Sequence, residues 1–179
     1  EVENSAIKIN KFNQTNIRNI YAIGDVSGPP WLAHVASAQG NVAVEHAFKY
    51  CARPIDYLNV PGCTYSQPQV GSLGLTEREA IAKDNNIKIG RYSFKSNGKA
   101  MAVGHNEGFV KLIFDNRYGE LLGAHIIGSE ATELIAELSL AKALEATWED
   151  IAFGIHAHPT FSEAIVEAAL DAYGIGIHQ

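Results

Sequence analysis

The 179 residues carry 46% apolar and 19% charged side chains, the balance of a chain that folds around a core. A net charge of −6 with no run of Lys or Arg argues against a nucleic-acid partner, and no apolar stretch reaches the ~18 residues of a membrane span. Cys51 and Cys63 are too few for a disulfide framework and lack metal spacing, so each reads as a reduced, partly buried thiol.

No secretory leader is visible, and Glu1 in place of Met gives the expectation that the chain starts part-way through a longer protein. Residues up to about Tyr50 read as the tail of an α/β unit. Ala6 to Ile9 alternates weakly, and Ile20 to Ile23 has a buried-strand pattern ending at Gly24-Asp25. Such an isolated strand needs partners found elsewhere. Ser27-Gly28-Pro29-Pro30 breaks the chain, and Leu32, Val35, Ala36, Val42, Val44 and Ala47 predict a helix to about Tyr50.

Residues 51–61 read as a linker. Beyond them Gln69 to Leu73 predicts a strand, Thr76-x-x-Glu79 a capping box opening a helix to Lys83, and Ile87 to Phe94 another strand. Gly108 to Asp115 and Glu120 to Ile127, joined by Asn116-Arg117-Tyr118-Gly119, predict a hairpin with Val110, Leu112 and Phe114 on one face. Glu130 to Glu145 places Leu134, Ile135, Leu138, Ala141 and Leu144 at helical spacing. Thr147-x-x-Asp150 opens a short helix, and Thr160 to Ala172 the last. Strands followed by helices predict an α+β domain over 62–179, an antiparallel sheet with helices on one side, after a short α/β remnant over 1–50.

Chemistry concentrates in Ile155-His156-Ala157-His158-Pro159-Thr160-Phe161-Ser162-Glu163. Pro159 suits a first helical position, so His158 is expected at a helix mouth with the Glu163 carboxylate one turn in. That is a prospective proton-transfer pair; Thr160 and Glu163 also satisfy a plain capping box. His156 reads as a structural histidine bonded to backbone, and the His-Ala-His doublet lacks the further ligands a zinc site needs. Asp25, at the end of its strand, is either a ligand-binding carboxylate or a turn former. His34 is as readily a packing residue as a ligand.

Three blocks carry a resemblance. His156 to Ala164 (HAHPTFSEA) resembles the C-terminal signature of the dihydrolipoyl dehydrogenases, flavoproteins of the pyridine nucleotide–disulfide oxidoreductase family. Thr15 with Ile20-Tyr21-Ala22-Ile23-Gly24-Asp25-Val26 resembles the end of that family's FAD domain. Val60-Pro61, Tyr65-Ser66-Gln67-Pro68-Gln69-Val70 and Gly74-Leu75-Thr76-Glu77 resemble the start of its interface domain. The resemblance implies that residues 1–50 are a remnant of the FAD-binding domain and 62–179 the dimerisation domain. It implies a general acid/base role for His158, oriented by Glu163. It also implies contact of Asp25 with an FAD ribityl hydroxyl, and a flavin-facing helix start at Trp31, Leu32, Ala33 and His34.

The activity so implied is oxidation of dihydrolipoamide with FAD and NAD in a homodimer. The final two long helices would supply apolar interface, and lipoyl domains of a 2-oxoacid dehydrogenase complex would be partners, in the cytoplasm or the mitochondrial matrix. This chain departs from the family pattern in lacking the C-x4-C redox pair and any G-x-G-x-x-G loop, and no NAD domain is present. It is therefore expected to be inactive and colourless alone, yet dimeric. A glutathione reductase-like enzyme and a non-catalytic dimerisation module are the competing readings.

Overall fold

The computed structural model describes residues 1–83 and 86–178; Asp84, Asn85 and Gln179, the last residue of the expected 62–179 domain, lie outside it. The chain divides into two compact units, Glu1–Tyr57 and Leu58–Gln179.

The first unit has little regular structure. A two-residue pair, β1 (Val2–Glu3) and β2 (Ala6–Ile7), is antiparallel, and α1 spans Ala33–Ala47. The expected strand at Ile20–Ile23 does not form: Tyr21 makes only an isolated bridge to Gln14. Ile20 and Ile23 are 51% and 41% exposed, because no neighbouring strand among the described residues supplies the ladder and cover that a buried strand needs. Asp25 accordingly lies in a 3-10 turn, Gly24–Ser27, and not at a strand end. Polar ties hold the segment. Thr15 takes the Ile20 carbonyl with both its amide and its hydroxyl, each at 3.0 Å. Gln39, buried on α1, accepts the Gly24 amide at 2.7 Å and donates to the Tyr57 hydroxyl at 3.0 Å, while Asn13 donates to the Gln39 carbonyl.

The second unit is built on a five-stranded antiparallel sheet among the described residues. Its strands are β3 (Gly62–Thr64), β4 (Gln69–Gly74), β5 (Ile87–Ser93), β6 (Gly108–Asp115) and β7 (Leu121–Gly128), in the order β3-β4-β7-β6-β5. The predicted hairpin is β6–β7, in which Val110 faces Ile126 and Leu112 faces Ala124. Its turn is closed by Asp115, whose carboxylate accepts the Arg117 and Tyr118 amides at 2.6 Å. Residues alternate across a strand, so Val110, Leu112 and Phe114 share one face, and all three are fully buried with Ala124 and Ile126. Each large side chain so buried contributes about 1.5–3 kcal/mol.

That face is covered by α4 (Ala131–Ala143) and α6 (Glu163–Asp171). Two glycines let these helices close on the sheet. A Cβ on Gly71 would lie 2.5 Å from the Ala131 carbonyl oxygen of α4, and one on Gly90 would run into the Ala168 carbonyl of α6. On the opposite face Glu77, which opens α2 (Glu77–Lys83), pairs with Arg91 at 2.7 Å and Lys111 at 3.3 Å. The Thr76 capping box is made, its amide reaching Glu79 at 2.9 Å. The Thr147–Asp150 box likewise opens α5 (Trp148–Ala152).

Several elements depart from expectation. Strand β3 and α3 (Gly98–Val103), capped by Asn97, had no periodic signal. The last helix begins at Glu163, not Thr160, so Pro159 is not its first residue. The reason is local: Thr160 turns its hydroxyl back to the Ala157 carbonyl at 2.7 Å instead of capping, and Phe161 packs edge-on against Phe94 in the core. Nor does α6 offer apolar interface surface, because Ala164, Ile165, Ala168, Ala169 and Leu170 are buried in its own unit. On α4, Ile135 and Leu138 enter the core, whereas Leu140 and Leu144 at its end are 63% and 71% exposed. Cys51 is exposed and Cys63 partly buried; both are free thiols. No helix among the described residues is long and apolar enough to cross a membrane.

Candidate active site

Residues 154–163 leave α5 and return to the sheet as the turn that starts α6. Across that turn His158 Nδ1 lies 2.8 Å from Glu163 Oε1. The other carboxylate oxygen accepts the Thr160 amide at 2.8 Å, the half of the capping box that does form. Asn97, itself buried, donates from Nδ2 to the Thr160 carbonyl at 3.0 Å and accepts the Ala100 amide at 2.9 Å. It thus joins the start of α3 to the histidine turn, a partnership 63 residues apart that no sequence spacing announces.

These groups line a cleft of about 240 Å³ with Tyr92, Gly98, His156, Glu167 and His178 on its walls. The His158 side chain is 77% exposed while Glu163 is 29% exposed, so the ring is presented outward from a carboxylate set deeper. Burial opposes ionisation of Glu163, but the Thr160 amide and the His158 ring outweigh it and hold its carboxyl below the ordinary glutamate range. An ionised Glu163 accepts the Nδ1 proton, which fixes the tautomer and leaves Nε2 as a lone-pair acceptor. Among the described residues nothing hydrogen-bonds that Nε2. The pair can therefore take a proton from a group arriving at the open face of the ring.

Glu167, buried one turn further along α6, accepts the Ile177 and His178 amides at 3.0 and 3.1 Å and the His178 ring at 2.7 Å. His156 makes the expected backbone bond, Nδ1 to the Gly154 carbonyl at 3.0 Å, and a second to Glu137 at 2.6 Å. The remaining expected site residues lie in the first unit. Asp25 is exposed in its 3-10 turn. Trp31 precedes α1, Leu32 is its N-cap, and Ala33 and His34 open its first turn on the surface. Glycine is required at 24, where φ is +70° and a Cβ would press on Ala36. Among the described residues no group of three or more His, Cys, Asp or Glu side chains is placed to hold a metal ion.

The second unit is thus a five-stranded antiparallel sheet with helices on its inner face, presenting an outward His–Glu pair. Comparison with known families gives this architecture its class. The dimerisation-domain model of the pyridine nucleotide-disulphide oxidoreductases matches residues 60–169, and the pyridine nucleotide-disulphide oxidoreductase model matches residues 1–40. The chain belongs to the pyridine nucleotide-disulphide oxidoreductase family and carries its dimerisation domain.

Dihydrolipoyl dehydrogenase of Rhizobium etli is 52% identical over 164 residues, which cover 91% of this chain and 34% of that protein. Dihydrolipoyl dehydrogenase of Bacillus subtilis is 49% identical over 176 residues, 98% of this chain and 37% of that protein. The chain thus spans about a third of the length of the curated relatives it matches. Among solved structures, LpdA from Mycobacterium tuberculosis superposes with a TM-score of 0.87 at 26% identity, covering 92% of this chain and 36% of that one. The HOCl-induced flavoprotein disulfide reductase RclA from Escherichia coli shares the fold, with a TM-score of 0.87 at 22% identity over 94% of this chain and 39% of that one.

Proposed function

We propose that this chain is the C-terminal part of a dihydrolipoyl dehydrogenase, supplying its dimerisation domain and the proton-transfer pair His158–Glu163. The observation that carries the reading is the direction of the His158 ring: one nitrogen is held by a carboxylate and the other is open to solvent. A dithiol substrate has a pKa of about 8.5 and is only slightly ionised at neutral pH, so a base near neutrality is the suitable catalyst. The thiol S–H gives its proton to His158 Nε2, and the thiolate left behind attacks one sulfur of a disulfide, forming a mixed disulfide as the original S–S bond breaks and its other sulfur leaves as a thiolate. Glu163 stabilises the imidazolium that forms. Cys51 and Cys63 are free thiols, so in this reading the disulfide is supplied by another part of the assembly.

The first unit would meet FAD at one edge. Bound flavin would supply the electron acceptor for the thiol chemistry. Asp25 fits as an exposed carboxylate able to accept a hydrogen bond from a hydroxyl. The start of α1 fits through the partial positive charge of a helix N-terminus, suited to an electron-rich ring edge. The homodimer in this reading draws apolar surface from Leu140, Leu144, Phe153 and Ile155, all strongly exposed on the second unit. Lipoyl domains are the macromolecular substrates it implies.

The test is made in the full-length enzyme. His158→Gln lowers kcat with dihydrolipoamide by about 10²–10⁴-fold. Undiminished turnover, or a preference for glutathione over dihydrolipoamide in the unaltered enzyme, overturns the assignment. The isolated chain is expected to elute as a dimer without a flavin absorption band.

A further inference from the structure

The segment that carries His158 is poorly held by its own backbone. Among the described residues, 154–158 make no backbone-to-backbone hydrogen bond, and Ile155 is fully exposed. Downstream the turn is anchored by Thr160, Asn97 and Glu163. Upstream one side chain does the equivalent work. His156 Nδ1 lies 3.0 Å from the Gly154 carbonyl oxygen and Nε2 lies 2.6 Å from Glu137 Oε1 on α4. The His156 side chain is 13% exposed, against 77% for His158 two residues on. Both ring nitrogens of His156 thus lie within hydrogen-bond distance of an oxygen of the surrounding fold. Neither nitrogen remains for chemistry.

We infer that His156 is a positioning residue for His158: a two-point tie through Gly154 and Glu137 that pins the upstream half of the catalytic turn to α4. Glu137 is the other half of the device. The inference rests on the proton-transfer reading of His158, and it adds that the reach of the base depends on a carboxylate from a different helix. Rate depends steeply on such placement, since an error near 1 Å in a reacting group costs up to about 10²-fold.

Two variants separate the tie from bulk stability. Glu137→Ala removes the carboxylate from a half-exposed helix surface, and His156→Phe keeps a ring but loses both ring nitrogens. In the full-length enzyme each is expected to lower kcat with dihydrolipoamide by about tenfold to a hundredfold while KM changes less than twofold. Glu137→Gln, which still accepts from Nε2, retains most of the rate. In the isolated chain, where no turnover is needed, the His158 Nδ1 proton shared with Glu163 is expected to broaden by exchange with water in proton NMR spectra of Glu137→Ala and to stay sharp in Glu137→Gln. An unchanged His158 proton, or an unchanged kcat, in folded Glu137→Ala overturns the tie. Should His158→Gln leave turnover intact, the catalytic reading fails by itself, and the NMR comparison still decides whether His156 orders the turn. Should His156→Phe not fold, Glu137→Ala alone carries the decision.

Discussion

The two units of the chain answer differently to one physical demand, the removal of apolar surface from water. The second unit closes a core around Phe94, Leu112, Phe114, Leu121, Ile126, Leu138 and Ile165, each 0–1% exposed. In the first unit the buried apolar residues are Ala22, Val35, Val42 and Ala43, while Ile20, Trp31, Val44, Phe48 and Tyr50 remain 51–73% exposed. It is held mainly by the amide and hydroxyl bonds of Asn13, Thr15 and Gln39. A sheet with helices on its inner face is a complete solution to burial; one helix with turns is a portion of one. The contrast places the folding independence of the chain in residues 58–178.

Phe114→Ala should show the contrast most strongly. Loss of this fully buried ring is expected to cost the second unit about 3–5 kcal/mol in denaturant titration, enough to unfold most of it, while α1 helicity followed by hydrogen exchange is little altered. Simultaneous collapse of both units would break the comparison. Asn97→Ala, which leaves the Thr160 carbonyl and the first turn of α3 without partners, should cost about 2 kcal/mol by the same titration.

Glu167 sharpens the comparison through pH. Burial disfavours its charge, but the His178 ring and the two tail amides prevail, so its folded pKa lies below the unfolded one. Its stabilisation is therefore present above the unfolded value of about 4.3 and is lost as pH falls through the lower folded value. Glu167→Gln should lower neutral-pH stability by about 1 kcal/mol and flatten the acid limb of a Tm-against-pH curve. A limb of unchanged slope would contradict that account. The smallest effect is reserved for Phe48→Ser in the first unit, within about 0.5 kcal/mol, because its ring is already in water.

Local signals were readable in the sequence and distant ones were not. The β6–β7 hairpin, α4 and both capping boxes rest on periodicities of a few residues, and they stand within one or two positions of where the pattern put them. His158 and Glu163, five apart, could be paired on sight. Helix α3 was missed because only Ala100 of its six residues is buried, so no periodic stripe marks it. Glu137 was missed as the partner of His156 because it lies 19 residues earlier, on a helix read only for its apolar positions. The Pro159 rule failed because Thr160 found a closer acceptor in Ala157. Ile20–Ile23 reads as a strand because the pattern reports preference, and preference without neighbours builds no ladder.

Gly90 sits on β5 with the Ala168 carbonyl where a side chain would be. Helix α6 therefore rests directly on the floor of the sheet at that point, and the same helix begins with Glu163. A methyl group at position 90 would act as a shim, jacking up the far end of the rod and tilting the tip that carries Glu163. The alignment of the His158–Glu163 pair at the surface is in this way machined into the least conspicuous residue of a buried strand.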